Sequence, residues 1–187
     1  MAALDALMKV VFFDLELALD TYFHGDRQEL LQMANHDALT GLPNRNLLRD
    51  RLEQAMLQAD REQGNVALLF IDLDRLKTVN DSLGHSVGDK IITEVSVRLT
   101  QCLREQDTVA RLGGDEFVVV LADVEKEEYI AGVAEKILRC IEQAITVEAH
   151  EFFVSASMGI AVYPLDGNSQ DELLKNADAA MYQAKQE

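Results

Sequence analysis

Apolar positions along the chain follow two different periods. From Leu4 to about Gln32 they recur every three or four residues (Leu4, Met8, Val11, Leu15, Ala18, Tyr22), which predicts a helix with a coiled-coil seam. Leu7, Val10, Phe12, Leu17 and Leu19 make that helix apolar on more than one side. Such a helix needs a partner in water, so dimerisation or docking on a further segment is expected ahead of burial in the same domain. Residues 1–35 are therefore taken as a separate N-terminal element, and 36–187 as the main domain.

Gly41 and Pro43 interrupt the pattern between His36 and Arg45, and a second amphipathic helix is predicted from Asn46 to about Gln63. Val66-Ala67-Leu68-Leu69-Phe70-Ile71 is continuously apolar and ends at Asp72, the signature of a strand buried on both faces. A polar, glycine-bearing stretch follows from Asn80 to Gly88, then a helix from Lys90 to Leu103. Val109–Leu112 and Phe117–Leu121 are β-rich runs joined through Gly113-Gly114, which predicts a hairpin. A helix from about Lys126 to Ala144, a strand around Phe152 to Val162 and a helix from about Gln170 to Gln186 complete the chain. This order implies an α+β fold, with helices covering an antiparallel-containing sheet.

Charge narrows the partners. The 187 residues carry 33 acidic and 17 basic side chains, a net charge of −16, and a nucleic-acid polymer is excluded for want of a basic face. A small anionic ligand stays compatible, since a metal ion and one or two lysines reverse the field locally. No apolar run approaches the roughly 20 residues of a membrane span. Cys102 and Cys140 stand far apart without a CxxC pair or a secretory segment, so reduced thiols and a cytoplasmic location are expected.

Three groups of polar residues bear chemistry. Asp72 and Asp74 leave the apolar strand, and Asp115 and Glu116 occupy the tightest turn. If the hairpin lies beside the strand, carboxylates about 4 Å apart repel by about 4 kcal/mol at an effective dielectric near 20, a cost that a cation in the gap removes. Oxygen ligands of this kind suit Mg²⁺, which completes its shell with substrate phosphates; solvated acids in a Gly-Asp turn are the plain alternative. Two glycines exceed what a turn requires and leave backbone open to a ligand. Lys77, Asn80 and Asp89 supply a cation, an amide and a carboxylate, and the last two match the edge of guanine. Turn formation and helix capping explain Asn80 and Asp89 equally well from the residues alone.

Asp37-Ala38-Leu39-Thr40-Gly41-Leu42-Pro43-Asn44-Arg45, Phe70-Ile71-Asp72-Leu73-Asp74, Lys77, Asn80-Asp81, Gly84-His85 and Gly88-Asp89 resemble successive motifs of the GGDEF diguanylate cyclases. Gly113-Gly114-Asp115-Glu116-Phe117 is the signature itself, and Ala177–Lys185 resembles the closing helix. The resemblance runs in order from about residue 36 to the C-terminus. It implies a fold like the palm of nucleotidyl cyclases and polymerases, and condensation of two GTP into cyclic di-GMP and two pyrophosphates by a homodimer. By this similarity Asp72, Asp115 and the Leu73 carbonyl bind Mg²⁺ or Mn²⁺. Glu116 is a metal ligand or assists deprotonation of the 3′-hydroxyl. Asn80 and Asp89 read guanine, Gly113 and Gly114 admit the substrate, and Lys77 and Lys185 hold phosphates. Arg104 and Asp107, an RxxD pair placed before Gly113 as in the family, correspond to a product-inhibition site for cyclic di-GMP; a surface ion pair is the alternative.

The sequence departs from the family at Arg75 and Leu76, where aromatics are common, and lacks the Gly-Arg-Asn that usually follows Lys185, so a C-terminally truncated domain is expected. Leu7–Tyr22 resembles, less specifically, the last helix of a globin-type oxygen sensor, which implies a sensor domain preceding this segment; a phosphodiesterase domain following it is equally compatible. The competing function is a GGDEF module that binds GTP or cyclic di-GMP without making it. An adenylyl-type cyclase is disfavoured by Asp89, whose acceptor oxygens do not match adenine.

Overall fold

The long apolar strand is buried because its two faces serve two different helical layers. In the computed structural model, which describes residues 32–124 and 126–186, it is β1 (Asn65–Leu73). Val66, Leu68 and Phe70 pack on one face against α1 (Arg45–Glu62) and α5 (Gln170–Ala184), with Leu48, Leu52, Leu173, Ala177 and Met181. Ala67, Leu69, Ile71 and Leu73 pack on the other, against α3 (His85–Cys102) and α4 (Glu127–Ile141), with Ile91, Val95, Leu99, Ile130 and Ile137. The two-residue period of a strand makes this division without polar compromise.

β1 lies between β3 (Glu116–Val124) and β6 (Ala156–Tyr163), and β2 (Thr108–Gly113) completes the antiparallel order β2-β3-β1-β6. The expected α+β sandwich is therefore present. Nearest the sheet end that carries the acids, Asp72 pairs with Glu116 on one side and Ser157 on the other.

Some elements differ from expectation. The strand runs two residues beyond Ile71 and takes Asp72 and Leu73 into the ladder, because Leu73 still has an apolar layer to fill. The Asn80–Gly88 stretch is helical: α2 (Leu76–Leu83) stops at Gly84 (φ 87°), and α3 starts immediately after it. Asn80 thus lies inside α2, and Asp89 in the second turn of α3; neither caps a helix. His85 is exposed at the start of α3. α4 ends at Ile141 rather than Ala144, β6 starts at Ala156 rather than Phe152, and a small hairpin of β4 (Ile145–Val147) and β5 (His150–Phe152) lies between them. Its turn uses positive φ at Glu148 and Ala149, residues that give no turn signal.

The chain divides at Asn35/His36. Residues 32–35 are helical, while the predicted seam from Leu4 to Tyr22 lies outside the described residues. Cys102 is buried and Cys140 half-buried, both as thiols, and burial pushes the Cys102 thiol up to about 11. Among the described residues no helix is long and apolar enough to cross a membrane.

Candidate active site

Strand alternation decides where the acids point. Asp72 continues the Val66–Leu68–Phe70 row and Glu116 the Val118–Val120 row, so both lie on the face covered by α1 and α5. They are direct cross-strand partners. The intervening hairpin turn is held to β1 by the Leu73 N–H, which donates to the Asp115 carbonyl at 3.1 Å. Gly113 (φ 138°) and Gly114 (φ 55°) adopt backbone conformations that side chains resist, and a β-carbon at either would meet no atom within 4 Å. The turn therefore presents open backbone, as the doubled glycine led one to expect.

Like charges opposite one another in a ladder are destabilising, and the electrostatics register it. Burial, then the charges of Asp115 and Asp74, raises the Asp72 carboxyl above its usual range, while the Lys185 ammonium opposes the rise. Glu116 is also raised, by burial first and then by Asp115, Asp178 and Asp72, with Arg45 opposing. Lys185, just past the end of α5, donates to Asp72 Oδ1, and this bond holds its ammonium protonated. The Lys185 ammonium and the Arg45 charge thus oppose a larger number of carboxylates at this end of the sheet. Among the described residues no three His, Cys, Asp or Glu side chains converge as a closed metal site. The donor set of Asp72, Asp115 and neighbouring backbone instead fits an ion that takes few protein ligands and completes its shell with phosphate and water.

Lys77 is exposed on α2, and Asp89 is exposed on α3. Asn80 is half-buried, its Oδ1 buried without a hydrogen-bond partner. A β-carbon at Gly88 would lie 1.9 Å from that oxygen, so glycine is the residue that lets the Asn80 amide sit against α3. Asp89 also lines an open cavity of about 630 Å³ between α3 and the β4-β5 hairpin, with Leu39, Thr93 and Val97.

Arg104 and Asp107 form the turn between α3 and β2. The buried Asp107 accepts from the Arg104 N–H through Oδ2 at 3.0 Å, and its own N–H donates to the Arg104 carbonyl at 3.1 Å. Burial raises its carboxyl despite that bond. The pair is joined through backbone and carboxylate, and the Arg104 guanidinium lies over the Tyr129 ring, 4.3 Å from its centroid.

Sequence reasoning passed over Arg111. Only 9% exposed, it reaches both carboxylate oxygens of Asp37 through Nη1 at 2.9 and 3.0 Å, and the Gly114 carbonyl through Nη2 at 2.8 Å. Asp37 also accepts from the Thr40 N–H and hydroxyl at 2.9 and 2.6 Å. The Asp37–Pro43 loop is thereby fastened to the turn that carries Asp115. A lone arginine within Val109–Leu112 was the available signal. Asp74, similarly, accepts from the hydroxyls of Ser155 and Ser157 at 2.7 and 2.9 Å and locks the end of β1 to the start of β6.

Residues 34–187 match the family model described as "Diguanylate cyclase, GGDEF domain". The chain belongs to the GGDEF family. Among curated relatives, the chain is 52% identical over 158 residues to the bifunctional diguanylate cyclase/cyclic di-GMP phosphodiesterase MucR of Pseudomonas aeruginosa, covering 84% of this chain and 23% of MucR. It is 39% identical over 163 residues to the diguanylate cyclase TpbB of that organism, covering 87% of this chain and 38% of TpbB. The chain thus spans well under half the length of either relative. The solved GGDEF domain of TpbB superposes with a TM-score of 0.79 at 40% identity, covering 81% of this chain and 89% of that one. The coiled coil and GGDEF domain of DgcB from Caulobacter crescentus, in complex with c-di-GMP, gives 0.82 at 25% identity and 91% coverage of each chain.

Proposed function

We propose that this GGDEF domain is a diguanylate cyclase that joins two GTP into cyclic di-GMP and releases two pyrophosphates. The observation that carries the reading is the pairing of Asp72 with Glu116 beside the Gly-Gly turn of Asp115, a concentration of carboxylates with open backbone next to it. Asp72, Asp115 and the Leu73 carbonyl would hold Mg²⁺ or Mn²⁺. Such an ion, when bound, lowers the pKa of an attacking hydroxyl and offsets charge developing on the α-phosphate and leaving group.

The chain's own residues bind and orient. Asn80 and Asp89 take the guanine edge, the amide bonding acceptors of the base and the carboxylate accepting from N1–H and N2–H₂. Lys77 and Lys185 bring positive charge to the triphosphate, and Gly113 and Gly114 let it approach the backbone. Glu116, its carboxyl raised, is suited to take the 3′-hydroxyl proton or to join the metal shell. One domain holds one GTP, so a homodimer presents each hydroxyl to the other nucleotide's α-phosphate. Residues 1–35 would align the two domains and connect them to a sensor. Arg104 and Asp107 would bind cyclic di-GMP and limit synthesis.

The second reading is a module that binds GTP or cyclic di-GMP without turnover. It is favoured by the names of some relatives, such as the cyclic di-GMP phosphodiesterase NbdA of Pseudomonas aeruginosa, 38% identical over 156 residues. Incubating the chain with GTP and Mg²⁺ and resolving the products by chromatography separates the two. Cyclic di-GMP with two equivalents of pyrophosphate supports synthesis; GTP bound but unconsumed supports the module.

A further inference from the structure

The turn between α3 and β2 carries a contact that the RxxD pair does not account for. The Arg104 guanidinium lies on the Tyr129 ring, and the Asp107 charge acts on that same tyrosine. Tyr129 is half-buried in the first turn of α4. That helix is tied to the end of α3 by Lys136, whose Nζ donates to the Cys102 carbonyl at 2.9 Å. The ring is therefore anchored on a rigid element, while Arg104 is exposed on a turn. An exposed arginine left alone samples many rotamers, and a ligand that needs one of them must order it. With one face of the guanidinium on a fixed ring, its N–H edge and its other face are what remain for a planar or anionic ligand.

We propose that Tyr129 is a positioning residue of the cyclic di-GMP inhibition site, holding the Arg104 guanidinium ready for a guanine base or a phosphate. This rests on the reading of Arg104 and Asp107 as that site. Asp107 organises the same unit from below: its carboxylate fixes the Arg104 backbone, while the ring fixes the Arg104 head.

Calorimetric titration of the 187-residue chain with cyclic di-GMP tests it. Tyr129→Leu should weaken binding roughly two- to fivefold, the range of a partly exposed cation–π contact. Tyr129→Phe, which keeps the ring, should bind within about twofold of the parent. Tyr129→Met serves in place of leucine should that chain not fold, with thermal melting as the check. In an Arg104→Ala background, Tyr129→Leu should add nothing, because the coupling has lost its partner. If Tyr129→Leu binds like the parent while Arg104→Ala does not, the proposal falls and the inhibition site stands. If Tyr129→Phe is as weak as Tyr129→Leu, the hydroxyl rather than the ring is responsible and the proposal falls. If Arg104→Ala binds like the parent, the inhibition-site reading fails and takes the proposal with it.

Discussion

Arg111 joins Asp37, at the start of the domain, to Gly114 in the signature turn, donating to the carboxylate of one and the carbonyl of the other. Both side chains of the ion pair are shielded, at 9% and 19% exposure. Removing one partner of a shielded pair leaves the other uncompensated, which costs more than the pair itself contributes. Arg111→Met is expected to destabilise the domain by about 2 kcal/mol, and urea unfolding measures it. Turnover should fall further than unfolding explains, because Gly114 loses the donor that holds its carbonyl.

Acid should release the same contact. Burial disfavours the charged form of Asp37, but the bonds from Thr40 and Arg111 outweigh it and hold the carboxyl below 3.8. A group whose pKa is depressed on folding contributes stability that is present above its unfolded value and lost as pH falls through the folded one. Melting temperatures of the parent should therefore fall steeply as pH drops from about 4, and Asp37→Asn should be less stable at neutral pH with a shallower decline.

Asp72→Asn separates function from folding. The substitution removes one of several mutually repelling carboxylates while keeping the shape of the side chain. We expect synthesis from GTP to fall more than a hundredfold, with the melting temperature in chelator unchanged or slightly higher. A chelator added to the parent should likewise abolish turnover, and Mg²⁺ should restore it. A parent whose turnover survives complete chelation would contradict the assignment of Asp72 and Asp115 to a metal.

Gly88 and Asn80 should behave as one unit. A methyl at position 88 overlaps the Asn80 amide oxygen, so Gly88→Ala is expected to displace that amide and raise the KM for GTP by about tenfold, the scale of one lost hydrogen bond. Alanine favours a helix by up to about 1 kcal/mol over glycine. In an Asn80→Ala background the clash is gone, and Gly88→Ala should then stabilise the fold. A thermal double-mutant cycle reads the coupling directly.

If synthesis depends on a homodimer, as proposed, activity per mole should rise with protein concentration. Polar replacement of Leu4, Met8 and Val11 should lower activity at fixed concentration and shift that curve to higher protein. Equal turnover at every dilution would remove the N-terminal segment from the account.

How legible this was depended on the length scale of the signal. The apolar run ending at Asp72 and the Gly-Gly bend between two β-rich runs are local patterns, and both reappear at their expected places. Asp72 and Glu116 came together because alternation along two adjacent strands leaves little choice. The α2–α3 break was misjudged because Asn80, Gly84 and Gly88 read as turn formers, whereas only Gly84 ends a helix and Gly88 instead makes room for an amide. The Arg111 clamp had only a lone arginine in a β-rich run to announce it, because Asp37 lies 74 residues away and Gly114 across a turn. Tyr129 was missed for the same reason: nothing near it in sequence names Arg104.

The partnership of Asp72 with Lys185 spans 113 residues, and its consequence falls on biogenesis. As the chain leaves the ribosome, β1 emerges long before β6 and α5, so one edge of the central strand and the acids at its tip wait without their covering. Until the last helix docks, that edge is free to recruit another nascent chain. Within this domain the carboxylate centre is thus among the last features to mature, and a chain cut before α5 would possess the signature bend without the ammonium that steadies it.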